Sequence, residues 1–412
     1  MARWADYTTG ERIKILRGKD RQTDLARMTG LSVVTIQKAE QNKVLTLPTL
    51  MALADAMETD TSVILGQQEP RRAMGRGDRA ISRALSRAVH DTAAGLLPDN
   101  IDQAPTLAEL KAATARCWDL YWRGHYSEAG SVAAQFLAAA AAAVHERPVG
   151  DQAAALGALS DAYRVAGYVA NLMGNRDLAY AAIGHAQVMA ERAADDLRGA
   201  LVMSGRAWVY LRDARLPEAL TLAEKAAVDI EPRFSTATPE LLTVYGSHIN
   251  FAAVVASRMG NKERTADYLG QSHAAGARMG DEHKAHGTLF GPVTATTQAV
   301  GINVALGQPG KALKLAESIA DVSPLTPAAQ NRYAMDKAMA QADAKMWDAS
   351  LDTLETALRA APEWGRHQAL PSVIVEKVGR ASTARLRRVS ELIGVRAAGV
   401  DGFAPATART AL

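Results

Sequence analysis

From residue 106 onward, one short signal recurs where helix pairs turn, and it constrains the fold more than any other feature of the chain. A Gly or another small residue is followed about five positions later by Ala. The instances are Gly124…Ala129, Gly174…Ala179, Ala214…Ala219, Gly307…Ala312 and Ala344…Ala349, with a looser Gly260…Ala266. A small residue lets a helix end in a left-handed turn, and Ala lets the next helix approach closely. The spacing therefore predicts six helical hairpins that stack into a repeat domain.

Composition agrees with helices packed on helices. The 412 residues exceed the size at which a single core stops growing, so at least two folding units are expected. Aromatic residues make up only 5%, and no sustained alternation of β-branched residues follows residue 105. The predicted fold class is all-α: an N-terminal helix-turn-helix domain of five helices followed by a curved solenoid.

The chain carries no sign of secretion or of a membrane span. Its single cysteine, Cys117, excludes an intrachain disulfide and a thiolate-rich zinc site, which is typical of a reducing compartment. Charged residues break up the beginning of the chain, unlike a signal peptide. The longest apolar run, residues 132–144, falls short of the roughly 20 residues that span a bilayer. We therefore expect a cytoplasmic protein without a membrane partner, and a buried helix at 132–144.

Charge is distributed unevenly along the chain. Residues 1–90 hold 15 Lys and Arg against 10 Asp and Glu, whereas the remainder is almost balanced. Such a surplus permits nucleic-acid binding without requiring it. Residues 67–105 are rich in Pro and Gly and predict a linker around one helix, Asp78–Ala94. Its Arg79, Arg83 and Arg87 form one stripe, either a solvated face or an arm that contacts phosphates or bridges a dimer.

Four segments follow from these patterns. They are a compact domain at 1–66, the linker at 67–105, the repeat domain at 106–394 and a C-terminal tail at 395–412, which we expect to pack poorly or only as an end cap.

Residues 9–66 resemble the phage-repressor-like (Xre) helix-turn-helix family. The matching segments are Arg12-Ile13, Leu16-Arg17, Gln22-Thr23-Asp24-Leu25-Ala26, Gly30-Leu31-Ser32-Val33-Val34-Thr35-Ile36, Ala39-Glu40, Leu47-Pro48-Thr49-Leu50, Leu53-Ala54 and Val63-Ile64-Leu65. The resemblance implies a second helix that lies in the major groove of a double-stranded DNA operator. It also implies an ion pair between Arg17 and Glu40 that holds this reading helix. The connection at 18–21 is about two residues shorter than is usual in the family.

The reading helix begins after Ser32, a good N-cap. Ile36 and Ala39 are expected to pack inward. Exposed valines suit thymine methyl groups, Lys38 suits guanine or phosphate, and Gln22 matches the family's phosphate contact. The candidate DNA contacts are Gln22, Ser32, Val33, Val34, Thr35, Gln37, Lys38 and Gln41.

Residues 106–360 resemble degenerate tetratricopeptide repeats, with Tyr163, Gly167 and Ala170 before Gly174 at the family's spacing. The module order is similar to that of Gram-positive peptide-sensing regulators. The resemblance implies that the first helix of each hairpin lines a concave surface. The candidate ligand contacts there are Arg164, Tyr168, Asn171, Ser204, Trp208, Arg212, Asn250 and Arg258. Asn and Arg side chains suit a peptide backbone or a carboxylate, although ordinary packing between repeats explains the same residues.

Enzyme signals are weak. Glu282, His283 and His286 lack the spacing of zinc hydrolases and are expected in a solvated loop, and no catalytic, metal or cofactor site is predicted. The leading hypothesis is a transcriptional regulator that dimerises through its repeats and binds a peptide or small-molecule effector. The alternative is a protein-interaction scaffold with a vestigial helix-turn-helix domain. A catalytic protein is the third and weakest reading.

Overall fold

The computed structural model describes residues 4–57, 59, 61–66, 76–97, 104–379 and 384–393. The predicted tail at 395–412 lies outside these residues, as does much of the linker. Within them, the chain is helical apart from one β-hairpin. The all-α prediction is therefore confirmed.

The N-terminal domain consists of five short helices, as predicted. They are α1 (Thr9–Arg17), α2 (Gln22–Thr29), α3 (Val33–Glu40), α4 (Leu47–Ala56) and α5 (Thr61–Ile64), preceded by a 3-10 turn at Trp4–Asp6. Hydroxyl groups of Thr8, Ser32 and Thr46 accept hydrogen bonds from the first turns of α1, α3 and α4. The centre of the domain is fully buried and apolar, with Ile13, Ile36, Leu50, Leu53 and Ile64 at its core.

The helix predicted within the linker is α6 (Arg76–Ala93). Its Leu85 and Val89 are fully buried, and the helix packs chiefly on α8 of the repeat domain. Gly130 permits this approach, because a Cβ at that position would lie 2.7 Å from Ile81. The helix thus lies against the repeats, with Arg83 exposed on its other side.

Six antiparallel hairpins follow, as the turn signal predicted. They pair α7 (Leu107–Arg123) with α8 (Tyr126–Glu146), α9 (Gln152–Leu172) with α10 (Arg176–Arg192), α11 (Asp196–Arg212) with α12 (Leu216–Asp229), α13 (Pro239–Arg258) with α14 (Lys262–Met279), α15 (Pro292–Ala305) with α16 (Pro309–Glu317), and α17 (Pro327–Asp343) with α18 (Trp347–Ala360). Five of the named turn residues have positive φ, from Gly124 to Gly307, and Ala214 is among them. In the sixth turn Lys345, one residue after Ala344, takes the left-handed conformation. Three further helices follow in the described residues: α19 (Pro362–Arg366), α20 (Leu370–Val378) and α21 (Ala384–Ile393).

The apolar run at 132–144 lies in α8, as predicted. This helix is long and apolar enough to cross a membrane. Half of its most apolar stretch is buried inside the protein, where it packs between α6, α7 and α9. It is placed as a core helix of the repeat domain.

The first helices of the six hairpins form a closed ring. Each of α7, α9, α11, α13, α15 and α17 contacts the next, and α17 returns to contact α7. Helix α19 packs on the turn between α7 and α8, where the ring closes. Both the backbone N and the Oγ of Ser127, at the start of α8, donate to Glu363 Oε1 of α19, at 2.7 and 2.6 Å. Gly124 lies against Trp364, so closely that a Cβ would be 2.7 Å from it. The expected concave surface is therefore the interior of a ring.

One β-hairpin enters this ring, and here the prediction of a solvated loop is wrong. Strands β1 (His283–Ala285) and β2 (Thr288–Phe290) pair antiparallel, joined by His286 and Gly287 at φ 45° and 76°. Phe290 is fully buried against Gly246, where a Cβ would lie 2.1 Å from the aromatic ring of Phe290. Strands of three residues are too short to show an alternating pattern, and tertiary contacts stabilise them instead.

Candidate functional site

Helix α3, the predicted reading helix, presents a face of mixed polar and apolar side chains to solvent. Ser32 Oγ accepts from the Thr35 N–H at 3.1 Å, which confirms the predicted N-cap. Ile36 and Ala39 are buried, as expected, and Val34 is 56% exposed. Exposed polar side chains continue this surface along the helix and just past its end, namely Gln37, Lys38 and Gln41. Val33 and Thr35 are half-buried, and Val33 packs against the core, so Val34 is the more open of the two valines.

A buried carboxylate holds α3 in place. Glu40 is 2% exposed and accepts from Arg17 Nε at 2.6 Å and from Gln22 Nε2 at 2.7 Å. The predicted ion pair between Arg17 and Glu40 is thus confirmed. The Gln22 contact adds α2, so one side chain joins three helices. We call Arg17, Gln22 and Glu40 the Glu40 latch.

Met51 and Thr9 mark two of the places where the N-terminal domain contacts the rest of the described chain. Met51 of α4 belongs to a buried cluster with Leu211 and Val255, near the C-terminal ends of α11 and α13. On α1, Thr9 lies beside Glu376 of α20, which follows the ring helices in the chain. Burial raises the pKa of Glu376 to about 7, although Thr9 and the charge of Arg12 act in the opposite direction. No pattern in the sequence indicated Met51 or Glu376, since both contacts arise from docking of separate elements.

Three of the predicted ligand contacts are engaged by the protein itself. Arg164 is buried, 3.1 Å from Asp161 Oδ1, and donates to the carbonyl of His286 in the β-hairpin. Its guanidinium also lies 4.5 Å from the centre of the Trp118 ring.

The two asparagines are also occupied. The buried Asn171 accepts from Arg176 through its side-chain oxygen. Asn250 accepts from Ser272 Oγ at 3.3 Å, which places its amide oxygen toward the outer helix α14. The predicted ligand contacts that remain are Tyr168, Ser204, Trp208, Arg212 and Arg258.

Aromatic side chains line one side of that interior. Tyr168 stands between Trp118 and Trp208, with ring centres 5.4 and 5.1 Å apart, and it also contacts Tyr121 at 5.7 Å. Tyr168, Trp208 and the predicted Ser204 are all half-buried. Parts of the Tyr168 and Trp208 rings are therefore exposed to solvent.

Three arginines from inner helices act on one another's charge, and one of them lies beside Trp208. We call Arg212 of α11, Arg258 of α13 and Arg332 of α17 the arginine cluster. Arg212 lies 5.9 Å from the centre of the Trp208 ring, and its Nε is buried with no hydrogen bond. Neither Arg212 nor Arg258 forms a hydrogen bond or a salt bridge with any residue that the structure describes. Arg212 and Arg258 were predicted, whereas Arg332 was missed because only closure of the ring brings α17 to α11.

Two members of the cluster, Arg212 and Arg258, stay charged at neutral pH. Burial lowers the pKa of Arg258 to about 9, and the neighbouring charge of Arg332 lowers it further, against Asp336. Burial likewise lowers the pKa of Arg212 to about 10, with Tyr121 and Tyr126 opposing the shift. Both values lie above 7, so the guanidinium groups carry their protons in this partly desolvated place.

Comparison with known families identifies the N-terminal domain. Residues 12–65 match the family of the Cro/C1-type HTH DNA-binding domain. The matched range contains α2, α3, α4 and α5 and most of α1, including every member of the Glu40 latch. A comparison with curated proteins gives no significant match. The chain therefore carries a DNA-binding domain of the Cro/C1 type, which supports a DNA-binding regulator.

Proposed function

We propose that the protein is a sequence-specific transcriptional regulator whose repeat domain dimerises and binds a peptide or small-molecule effector. The observation that carries the proposal is the presentation of α3. Its outer face is open, and the Glu40 latch fixes its orientation against α1 and α2. A reading helix needs both properties, because base recognition depends on side chains held in register with the major groove.

The exposed residues suit distinct parts of DNA. Val34 offers methyl groups to thymine, while Gln37 and Lys38 offer donors to base edges. Gln22 begins α2, where free backbone N–H groups favour a phosphate, although its own amide donates to Glu40. On this assignment Lys38 contributes to sequence preference and Gln22 to general affinity.

A dimer fits the size of the reading unit. One helix-turn-helix domain contacts few base pairs, and regulators of this type pair two domains over half-sites about 34–36 Å apart. A two-fold protein then reads an inverted repeat. The proposal places dimerisation in the repeat domain.

The contact between the domains offers a route for regulation. Met51 is seated at the ends of α11 and α13, the helices that carry Trp208, Arg212 and Arg258. An effector that moves these ends changes the position of α4, and with it that of α3. Such an effector shifts DNA affinity only by as much as it prefers one of the two arrangements.

The test is selection of bound sites from a random duplex library by the full chain. We expect enrichment of an inverted repeat, with binding that weakens steeply as salt rises. Lys38→Ala is expected to cost about 1–3 kcal/mol and to relax preference at one base position. Gln22→Ala is expected to weaken all sequences alike. Lys111→Ala, on α7 of the ring, is the matched control and leaves binding unchanged.

Two results contradict the proposal. Absence of any enriched sequence, at low salt and with a folded protein, favours the protein-interaction scaffold. An enriched single half-site, together with a monomer in sedimentation, removes the dimer.

A further inference from the structure

We propose that the arginine cluster binds a small organic anion, a carboxylate or a phosphate, whose flat unsaturated part lies against Trp208. The inference rests on the proposed function, since it names the chemical class of the effector. It narrows the choice between peptide and small molecule to the latter.

The first argument is convergence. Helices α11 and α17 are not neighbours in the ring, yet the charge of Arg332 reaches both Arg212 and Arg258. The three guanidinium groups are therefore close enough to act on one another's charge, although they come from three different helices of the ring. Arg258 and Arg212 remain half-buried rather than sealed, so that solvent-sized groups have access to them.

The second argument is an imbalance of charge. Arg332 has a partner, since its Nε lies 3.2 Å from Asp336 Oδ2. Asp213, which follows Arg212, accepts instead from the Tyr180 hydroxyl at 2.7 Å. No carboxylate of the described residues lies within ion-pair distance of Arg212 or Arg258, and the charge of Asp336, which acts on Arg258, is shared with Arg332. Unpaired charges in a desolvated place are unfavourable, and their planar donors match a carboxylate or phosphate with two parallel hydrogen bonds.

The third argument is the shape of the enclosure. The β-hairpin contacts the N-terminal half of α13, where His286 Nε2 lies 2.6 Å from Glu240 Oε1 and Phe290 covers Gly246. Arg258 is the last residue of the same helix. The contact between α17 and α7 closes the ring, so an extended chain has no open side groove through which to lie across the inner helices. Trp208 and Tyr168 give it one flat wall.

A second basic site must be distinguished from this one. A cleft of about 620 Å³ between α6 and α10 is lined by Arg83, Arg87 and His90, and Asp177 also borders it. Arg83 and Arg87 are exposed, so water already solvates their charges. This cleft serves as the internal comparison.

The experiment uses the full chain and three probes: phenyl phosphate, benzoate and inorganic phosphate. Binding is measured by calorimetry, and thermal unfolding is recorded in parallel. We expect saturable binding of phenyl phosphate or benzoate that is at least tenfold tighter than that of inorganic phosphate. Arg212→Gln and Arg258→Gln should each weaken it tenfold or more, whereas Arg87→Gln leaves it unchanged. Asp336→Asn removes the competing carboxylate and should tighten it.

Each outcome decides the matter. Failure of both aromatic anions to bind overturns the inference, as does equal binding by the wild type and the two Arg→Gln variants. Loss of binding in Arg87→Gln alone places the anion in the cleft and also overturns it. If an Arg→Gln variant does not fold, Asp336→Asn still tests the inference, because this change is expected to tighten anion binding rather than weaken it. DNA binding of the same samples is measured separately, so an intact operator complex without anion binding refutes this inference and leaves the DNA-binding role standing.

Discussion

Removal of the Glu40 side chain should loosen the reading helix by an amount that can be worked from its contacts. Glu40→Ala deletes two hydrogen bonds to a charged and buried acceptor, at 2.6 Å from Arg17 and 2.7 Å from Gln22. Such bonds contribute about 1.5–3 kcal/mol each. Arg17 retains 18% exposure and regains water after the change, which reduces its share. We therefore expect a loss of about 2–4 kcal/mol in the local stability of α1, α2 and α3.

Hydrogen exchange followed by mass spectrometry measures this quantity helix by helix. A loss of 2–4 kcal/mol corresponds to exchange that is roughly 30- to 1000-fold faster in peptides from residues 9–41, because each 1.4 kcal/mol is a factor of ten. Peptides from α13 and α17 should exchange at the wild-type rate.

Arg27→Ala is the matched control within the same domain. It removes an ion pair with Asp24 at 3.1 Å in which the Arg27 side chain is 79% exposed. Exposed pairs contribute at most about 1 kcal/mol, so the change in exchange should stay within a few-fold. If Glu40→Ala and Arg27→Ala behave alike, the Glu40 latch does not hold α3, and the argument for its orientation fails.

Two further predictions concern the ring and the seam between the domains. Gly287→Ala should lower the melting temperature more than Gly280→Ala. Both residues have positive φ, which costs about 1–3 kcal/mol for a residue with a side chain. Only at Gly287 would the added Cβ also collide with Trp118, at 2.3 Å. Equal shifts would mean that the β-hairpin is not packed in the ring. Because burial raises the pKa of Glu376 to about 7 from 4.5, its contribution to stability is present below about pH 4.5 and is lost as the pH rises to about 7. Glu376→Gln should therefore be more stable than the wild type at pH 8, by at most about 3 kcal/mol, and the difference should shrink toward pH 5. A difference in thermal unfolding that stays constant from pH 5 to pH 8 would show that Glu376 is not buried between the domains.

The sequence is informative where structure is local. The turn signal predicted the six hairpins because its two residues determine the same connection. One ends a helix in the left-handed conformation, and the Ala that follows lets the next helix pack closely. Even its small error is local, since Lys345 rather than Ala344 adopts the positive φ. The N-cap Ser32 and the ion pair of Arg17 and Glu40 were likewise predictable, one from local chemistry and the other from the family resemblance.

Features that depend on distant closure were not predictable from the sequence. The β-hairpin at 283–290 is held by donors from α7 and α9, such as Trp122 Nε1 at 2.6 Å from the carbonyl of Gly287. Its own residues show no strand pattern. Arg332 is separated from Arg212 by 120 residues, and no spacing rule connects them. The resemblance to tetratricopeptide repeats implied that Arg164 is a ligand contact, but its guanidinium donates to the hairpin carbonyl of His286.

Ring closure gives the proposed sensor a property that an open solenoid lacks. In an open array each repeat contacts only its neighbours, so a local change fades along the stack. In a closed ring, movement of α11 or α13 must be accommodated by all six inner helices or passed to whatever rests on their ends. Met51 packs on the ends of α11 and α13, beside Leu211 and Val255. Leu211 immediately precedes Arg212, and Val255 lies three positions before Arg258. An anion that draws these arginines together therefore acts directly on the seat of α4, and a coupling of about 1–3 kcal/mol would change operator affinity roughly 5- to 150-fold.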